Sequence, residues 1–239
     1  MRNKLTVCVF TDNIPSCPST ALIEKTISSF PVRDCRIIIS YDQEDTSQVS
    51  MDYFSALKRL PYECYHVANG QQRKCFLNAI ERVETPYFLQ LEHDWQLVRS
   101  VNLLDIVDCM ERNQRINAVY FNKRANLPGH NDGKLREILV PETEYQSIPL
   151  LKTSRWTNNP GIIRTQKYVD EWVPLFKDKP FIYPDKRNKQ IEPFTHWKYI
   201  EQIEKEGFEK AHRQWGTYIY GNLGDSPSVL HLDGRTYRV

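Results

Sequence analysis

The sequence has 239 residues, of which 40% are hydrophobic and 12% aromatic, enough to bury the core of one α/β domain. Its 32 Lys and Arg residues against 30 Asp and Glu residues give a net charge of +2, which argues against nucleic acid as the main partner. Six cysteines without a CxxC pair indicate buried thiols in a reducing compartment. No apolar run is long enough for a signal peptide or a transmembrane segment, so we expect a soluble, cytoplasmic protein.

The first third of the chain reads as alternating strands and helices. Residues 5–10 form an apolar, β-branched run, LTVCVF, which predicts a buried strand that ends at Thr11 and Asp12. A helix is predicted from Ser19 or Thr20 to residue 30, and a second strand, CRIIISY, runs over 35–41 and ends beside Asp42. This order predicts a right-handed βαβ unit with parallel strands.

The array continues with a helix over 48–60, a strand over 62–67 and an amphipathic helix over 72–83. It leads to residues 86–95, PYFLQLEHDW, whose near-continuous apolar run predicts a strand buried on both faces. Such a strand delivers its last side chains to the carboxyl edge of the sheet, where open α/β folds bind ligands. Carboxylates at that edge suit a hard divalent cation, so Asp94, helped by Glu92, is the predicted metal site. Solvated turn residues are the plain alternative.

The second half is less regular. A helix is predicted over 101–113, strands over 118–121 and 147–153, and a long irregular excursion or a hairpin over 122–144. A polar and aromatic loop spans 154–161, and Ile162 and Ile163 precede a helix over 166–176. Another helix ends at Gly207, and short strands are predicted over 216–220 and 228–232, the second containing His231. No repeat or linker divides the chain.

This order of elements resembles that of the GT-A glycosyltransferases, especially the inverting family 2 type. The resemblance spans nearly the whole chain and rests on the turn at Thr11 and Asp12, the aspartate in SYDQED, the helix GQQRKCFLNAI and the acidic motif EHD. It implies an α/β fold with a mostly parallel, Rossmann-like central sheet flanked by helices, and a smaller acceptor-side sheet. It also implies one domain, with a nucleotide-sugar-binding half over 1–95 and an acceptor-binding half over 96–239.

The resemblance assigns donor-binding roles to specific residues. Asp94 and His231 would hold Mn²⁺ or Mg²⁺, with His93 as a spacer that points away from the metal. A purely structural role is the alternative for His231. Glu92 stands at the first position of the DxD-like motif and is interpreted as an outer-shell or water-mediated contact. Leu77 occupies the family's usual arginine position, and Arg73 lies one turn earlier. The nucleotide-binding residues implied are Thr11, Asp12, Asp42, Arg73, Asn78, Glu92 and His93.

On the acceptor side, the resemblance implies an acidic general base before a late helix. Glu192 occupies that place, although Pro193 replaces the second acid of the family's E-D pair, and Asp185 is the reserve candidate. A carboxylate that only stabilises a helix N-terminus is the structural alternative. The implied acceptor contacts are Trp95, Trp156, Asn158, Asn159 and Trp197, for which core or rim aromatics are the plain alternative.

The predicted function is therefore transfer of a sugar from a UDP- or GDP-sugar to a hydroxyl of a glycan or another acceptor. A non-catalytic nucleotide- or carbohydrate-binding module of GT-A shape stays open as the alternative. A nucleotidyltransferase is disfavoured because no glycine-rich loop follows the first strand, and a P-loop kinase because GxxxxGK[ST] does not occur. Peripheral membrane contact through a lipid-linked acceptor also stays open.

Overall fold

The computed structural model describes residues 1–12, 19–43, 48–68, 71–129, 136–144, 147–177 and 191–232. Asp185, the reserve base, and the side chain of Asp12 lie outside the described part. The strands are β1 (Leu5–Asp12), β2 (Arg36–Gln43), β3 (Glu63–Ala68), β4 (Tyr87–Glu92), β5 (Trp95–Leu97), β6 (Ala118–Tyr120), β7 (Leu139–Pro141), β8 (Leu150–Thr153), β9 (Gly161–Arg164), β10 (Thr217–Tyr220) and β11 (Val229–His231).

The helices lie between these strands, as an alternating α/β chain requires. They are α1 (Ala21–Ser29), α2 (Gln48–Leu57), α3 (Gln71–Ile80), α4 (Leu103–Arg112), α5 (Thr165–Lys167), α6 (Val173–Phe176), α7 (Glu192–Glu206) and α8 (Phe208–Trp215), with a π-helical turn (Tyr168–Trp172) between α5 and α6. No helix in the described residues is both long and apolar enough to cross a membrane.

Nine strands form one sheet in the order β3-β2-β1-β4-β9-β6-β10-β8-β7, and β11 pairs with β5 in a separate two-stranded sheet. The neighbours β3, β2, β1 and β4 are all parallel, which confirms the βα array predicted from the first half of the sequence. Their apolar runs are buried because helices cover both faces of the sheet. The central sheet and the small second sheet agree with the predicted fold class.

The core lies in two layers on either side of the sheet. On one face, Val7 and Val9 of β1 pack with apolar residues of α1, α2 and α4. On the other face, Cys8 and Phe10 pack with residues of α3, the π-helical turn, α7 and α8. Alternation along β1 therefore supplies both layers, as expected for a strand buried on both sides.

The largest departure from the sequence prediction is β9. Ile162 and Ile163 were expected only to precede a helix, but they belong to a strand that lies antiparallel between β4 and β6. A run of two apolar residues is too short to show the periodicity of a strand or a helix. These residues adopt the strand conformation because β9 pairs with a strand on each side. The sequence also does not predict β5 and α8, whereas β7 lies in the stretch that it assigns to an excursion or a hairpin.

The position of β9 sets the geometry of the functional edge. Because β4 and β6 are both antiparallel to β9, they are parallel to each other, and their carboxyl ends lie at the same edge as those of β1 and β2. The loop before β9 reaches that edge too, since β9 starts there. Residues after β4, after β6 and before β9 are thus brought together.

Candidate metal and donor site

Three metal-ligating side chains converge at the carboxyl end of β4. Glu92, Asp94 and His231 each offer one ligand atom, and these atoms lie within 4.8 Å of one another. Glu92 ends β4, and Asp94 follows in the turn before β5. The pairing of β5 with β11 aligns Trp95 with His231, and the backbone N–H of Leu232 donates to the carbonyl of Asp94 at 2.7 Å. The two-stranded sheet therefore brings the late histidine to the early acidic motif.

Asp94 and His231 are directly paired. Nε2 of His231 lies 3.0 Å from Oδ2 of Asp94. Burial alone would raise the pKa of Asp94, but the hydrogen bond from His231 and the nearby imidazoles outweigh it and lower the pKa. The same hydrogen bond raises the pKa of His231. The second oxygen of Asp94, Oδ1, is buried and has no hydrogen-bond partner among the described residues.

Glu92 is the electrostatically costly member of the cluster. Burial, followed by the charge of Asp94, raises the pKa of Glu92 to about 7. Nε1 of Trp95 lies 3.4 Å from Oε2 of Glu92, at the long end of the hydrogen-bond range. Two close carboxylates, an imidazole and an unpartnered buried oxygen fit a divalent cation that accepts oxygen and nitrogen ligands. The structure thus brings Glu92 beside Asp94 and His231, where the sequence interpretation gave it an outer position.

The predicted nucleotide-base contacts lie along β1 and β2. Asp12 and Asp42 are register neighbours at the ends of these strands, and Asp42 is buried. Thr11 is engaged in the fold, since its hydroxyl lies 2.8 Å from that of Tyr53. This arrangement puts the aspartate pair at the same edge as the cluster, on the β1 and β2 side.

The two predicted residues of α3 have different surroundings. Nη1 of Arg73 donates to the carbonyl of Phe176 at 3.0 Å, so this guanidinium helps to hold the end of α6. Oδ1 of Asn78 is buried and has no partner among the described residues. His93 is held by its backbone, which donates to the carbonyl of Phe10 at 3.0 Å and accepts from the Thr26 hydroxyl at 2.7 Å. These contacts fix the turn that carries Asp94.

Glu192 is the first residue of α7 and is half-buried. Its charge contributes, after burial and the charge of Asp94, to the raised pKa of Glu92. It also contributes to the raised pKa of Tyr120, which burial dominates. Glu192 therefore lies close enough to influence both the cluster and the end of β6.

The predicted acceptor contacts fall into two groups. Trp95 and Trp156 are buried: Trp95 contacts His231 with the rings tilted and their centroids 4.6 Å apart, and Trp156 packs edge-on against Trp172 in the core. Asn158 is also buried, whereas Asn159 lines an open pocket at the end of β6. Trp197 is half-buried on α7. The buried rings of Trp95 and Trp156 pack inside the protein. Asn159 and Trp197 are therefore the more accessible of the predicted acceptor contacts.

Sequence reasoning missed the segment that follows β6. Asn122 is buried and ties this segment to the approach to β11: its Nδ2 donates to the carbonyl of Ser226 at 3.0 Å, and its Oδ1 accepts from the N–H of Ser228 at 2.9 Å. Lys123 and Arg124 follow on the surface. The signal was present, because these polar residues directly follow a predicted strand, as Asp94 does.

Comparison with known proteins supports the fold. No protein-family model matches the sequence, and neither does any curated protein. The structure is similar to that of S. aureus TarS residues 1–349, with a TM-score of 0.51 and 16% sequence identity over 95% of this chain and 60% of that one. A longer TarS structure gives a TM-score of 0.48 and 16% identity, over 95% of this chain and 36% of that chain. This chain thus spans less than two thirds of either, and its mixed α/β architecture is GT-A-like.

Proposed function

We propose that this protein is a glycosyltransferase that moves a sugar from a nucleotide-sugar donor to an acceptor hydroxyl. The observation that carries the proposal is the cluster of Glu92, Asp94 and His231 at the carboxyl edge of a GT-A-like sheet. Ligands of open α/β sheets bind at this edge, and a nucleoside diphosphate there needs positive charge beside its phosphates. The cluster, in contrast, is itself anionic and suited to a cation.

The donor would occupy the half of the chain over 1–95. Asp12 and Asp42 would accept hydrogen bonds from the base, and Arg73 and Asn78 would face the nucleotide from α3. Glu92, Asp94 and His231 would hold Mn²⁺ or Mg²⁺. The bound cation would neutralise the charge that develops on the leaving nucleoside diphosphate.

The acceptor would occupy the half over 96–239, with Glu192 as the general base. Its carboxylate would take the proton from the attacking hydroxyl, which would then displace the nucleoside diphosphate directly and invert the anomeric carbon. The influence of Glu192 on Glu92 and Tyr120 supports a position between the cluster and the acceptor side. Asn159 and Trp197 would contact the acceptor.

A non-catalytic binding module of GT-A shape is the second candidate. Two of the predicted nucleotide contacts already have partners within the fold, Thr11 with Tyr53 and Arg73 with Phe176. A module would retain metal-dependent nucleotide binding but release no nucleoside diphosphate from a donor sugar. Both the glycosyltransferase and the module should therefore bind the nucleotide, but only the glycosyltransferase should turn over a nucleotide-sugar donor.

Titration of the protein with UDP and with GDP, each with Mn²⁺ and with EDTA, tests the proposal. We expect one of the two nucleotides to bind in a manganese-dependent way, because the cluster offers no positive charge of its own beyond His231. Isothermal titration calorimetry on the whole chain reports both affinity and metal dependence. If neither nucleotide binds in either condition, the glycosyltransferase proposal fails, and so does the nucleotide-binding form of the module alternative.

A further inference from the structure

An open pocket at the carboxyl end of β6 contains cationic side chains that the proposed reaction does not use. The pocket is small and opens to solvent. Its charged lining residues are Lys123, Arg124, Arg155 and Glu137, and its polar wall includes Asn159. Three cations and one carboxylate leave the pocket with an excess of positive charge.

An ion pair within the pocket lining leaves the excess positive charge on two residues. Nε of Arg155 lies 3.1 Å from Oε1 of Glu137, and both side chains are largely shielded, with 17% and 6% of their surface exposed. The charges of Arg155 and Glu137 therefore offset each other. Lys123 and Arg124 are exposed, and neither has a carboxylate within ion-pair distance in the described part of the chain. An ammonium and a guanidinium on adjacent residues thus line the pocket, and among the described residues neither forms an ion pair.

The pocket borders the metal-site cluster. Nζ of Lys123 lies 5.9 Å from the centre of the Trp95 ring, and the His231 ring lies 4.6 Å from the same ring, measured between centroids. Asn122 fixes this relation, because its side chain binds the backbone that leads into β11. The two cations are therefore held beside the cluster by a buried amide.

The sheet order decides which substrate the pocket faces. The predicted base contacts lie on β1 and β2, to one side of β4, whereas β6 lies on the other side of β4 with β9 between them. Two strand spacings put the end of β6 about 10 Å from that of β4. The pocket is thus on the side of the cluster that faces away from the nucleotide base, where the acceptor would enter.

We propose that Lys123 and Arg124 form a binding site for an oxyanion of the acceptor, a phosphate or a carboxylate group. This inference rests on the proposed function, since it identifies the chemical class of its second substrate. A guanidinium presents paired N–H donors that match the oxygens of either group, and an adjacent ammonium adds charge without a fixed geometry. A neutral sugar acceptor would offer neither cation an opposite charge.

Binding of small anions to the whole chain tests the site without metal, nucleotide or a known acceptor. Inorganic phosphate and glycerol 3-phosphate represent the phosphate class, glycerate represents the carboxylate class, and glycerol is the neutral comparison. The test variant combines Lys123→Ala with Arg124→Ala. The control combines Arg33→Ala with Lys205→Ala, two exposed residues elsewhere, so that the net charge changes equally. Circular dichroism and thermal unfolding verify that both variants fold.

We expect one of the two anion classes to bind the native chain, with affinity lowered about tenfold or more in the test variant and unchanged in the control. Binding of neither class, or an equal loss in the control, overturns the proposal. UDP and GDP are titrated with Mn²⁺ in the same variants. An equal loss of nucleotide affinity in the test variant would assign the cations to the donor diphosphate and also overturn it. If the native chain binds no nucleotide, the proposed function fails separately, and the acceptor assignment fails with it.

Discussion

Nε2 of His231 lies 3.0 Å from Oδ2 of Asp94, although one residue ends the last strand and the other follows β4. Neither position alone makes a metal site. The pair forms because β5 and β11 align Trp95 with His231, directly after Asp94. The small sheet therefore builds the candidate metal site as well as part of the fold.

Replacing Asp94 with Ala should abolish manganese-dependent nucleotide binding. The change removes a carboxylate from the cluster and leaves His231 without its partner. We expect the dissociation constant for the nucleotide in Mn²⁺ to rise by more than about 100-fold, since even outer-shell changes at metal sites cost 10- to 100-fold. Calorimetry measures the effect, and Asp105→Ala, an exposed carboxylate on α4, is the matched control. Retention of manganese-dependent affinity would remove Asp94 from the metal site.

Replacing Glu192 with Gln should separate binding from transfer. The amide keeps the shape of the side chain but cannot accept a proton, so we expect release of nucleoside diphosphate from the donor to fall by about 10²- to 10⁴-fold. Nucleotide affinity should be unchanged. Glu204→Gln, an exposed residue of the same helix, is the control. Equal rates in Glu192→Gln and the native protein would exclude Glu192 as the base.

The metal-free protein should lose stability as the pH rises from about 4.5 to 8. Because the pKa of Glu92 is raised from 4.5 to about 7, the folded state binds a proton on this carboxylate more tightly than the unfolded state does. The stability that results is fully present below pH 4.5 and is lost as the pH rises through about 7. The corresponding change in the free energy of unfolding is on the order of 3 kcal/mol. The raised pKa of His231 acts in the same direction, since the Asp94 pair favours its protonated form.

Thermal unfolding in EDTA, at several pH values, measures this loss. In the variant Glu92→Gln, the unfolding temperature should decrease less with rising pH than in the native chain. The difference between the two proteins reports the effect of Glu92 alone, because other titrating groups, such as His212 with its pKa lowered by burial, are present in both. Addition of Mn²⁺ should reduce the decrease in the native chain, since a cation stabilises both carboxylates in their charged form. An identical pH dependence in Glu92→Gln would contradict the prediction.

Replacing Asn122 with Ala should weaken the metal site from a distance. The change removes the hydrogen bonds to Ser226 and Ser228 that hold the approach to β11, and we expect a loss of stability of about 2–3 kcal/mol. Asn126→Ala is a close control, because Nδ2 of Asn126 donates to the carbonyl of Asn222 at 3.1 Å on a neighbouring turn. Both variants should unfold at lower temperature, but only Asn122→Ala should lower the affinity for Mn²⁺.

Replacing Gly161 with Ala should destabilise the centre of the sheet. A Cβ at this position would lie 2.7 Å from Cδ1 of Tyr120 and 2.9 Å from the carbonyl oxygen of Val119, so the strands would have to separate. We expect a loss of about 1–3 kcal/mol. Gly207→Ala is the comparison, because Gly207 has φ of +83° but no atom within 4 Å of a Cβ, and its cost comes from backbone strain alone. A smaller effect at Gly161 than at Gly207 would contradict the steric argument.

The sequence predicted the first half of the fold well, because its strands are continuous apolar runs and its helices have a clear period. It also indicated that Asp94 and His231 each lie at the end of a strand. It therefore predicted that these two residues could lie close together in the fold. It did not predict β9, since Ile162 and Ile163 take strand conformation from neighbours on both sides. It did not reveal the cations after β6 either, because Lys123 and Arg124 begin a stretch that looked irregular as a whole.

The antiparallel insertion of β9 has a consequence for how the chain reaches its native state. The strands of residues 1–95 can pair among themselves, but the outer edge of β4 stays open until residues 161–164 arrive and close it. An unpaired edge of an apolar strand invites association with other chains. Synthesis stopped before residue 161 would therefore leave an aggregation-prone intermediate, and residues 1–95 should need the β9 segment in order to stay soluble.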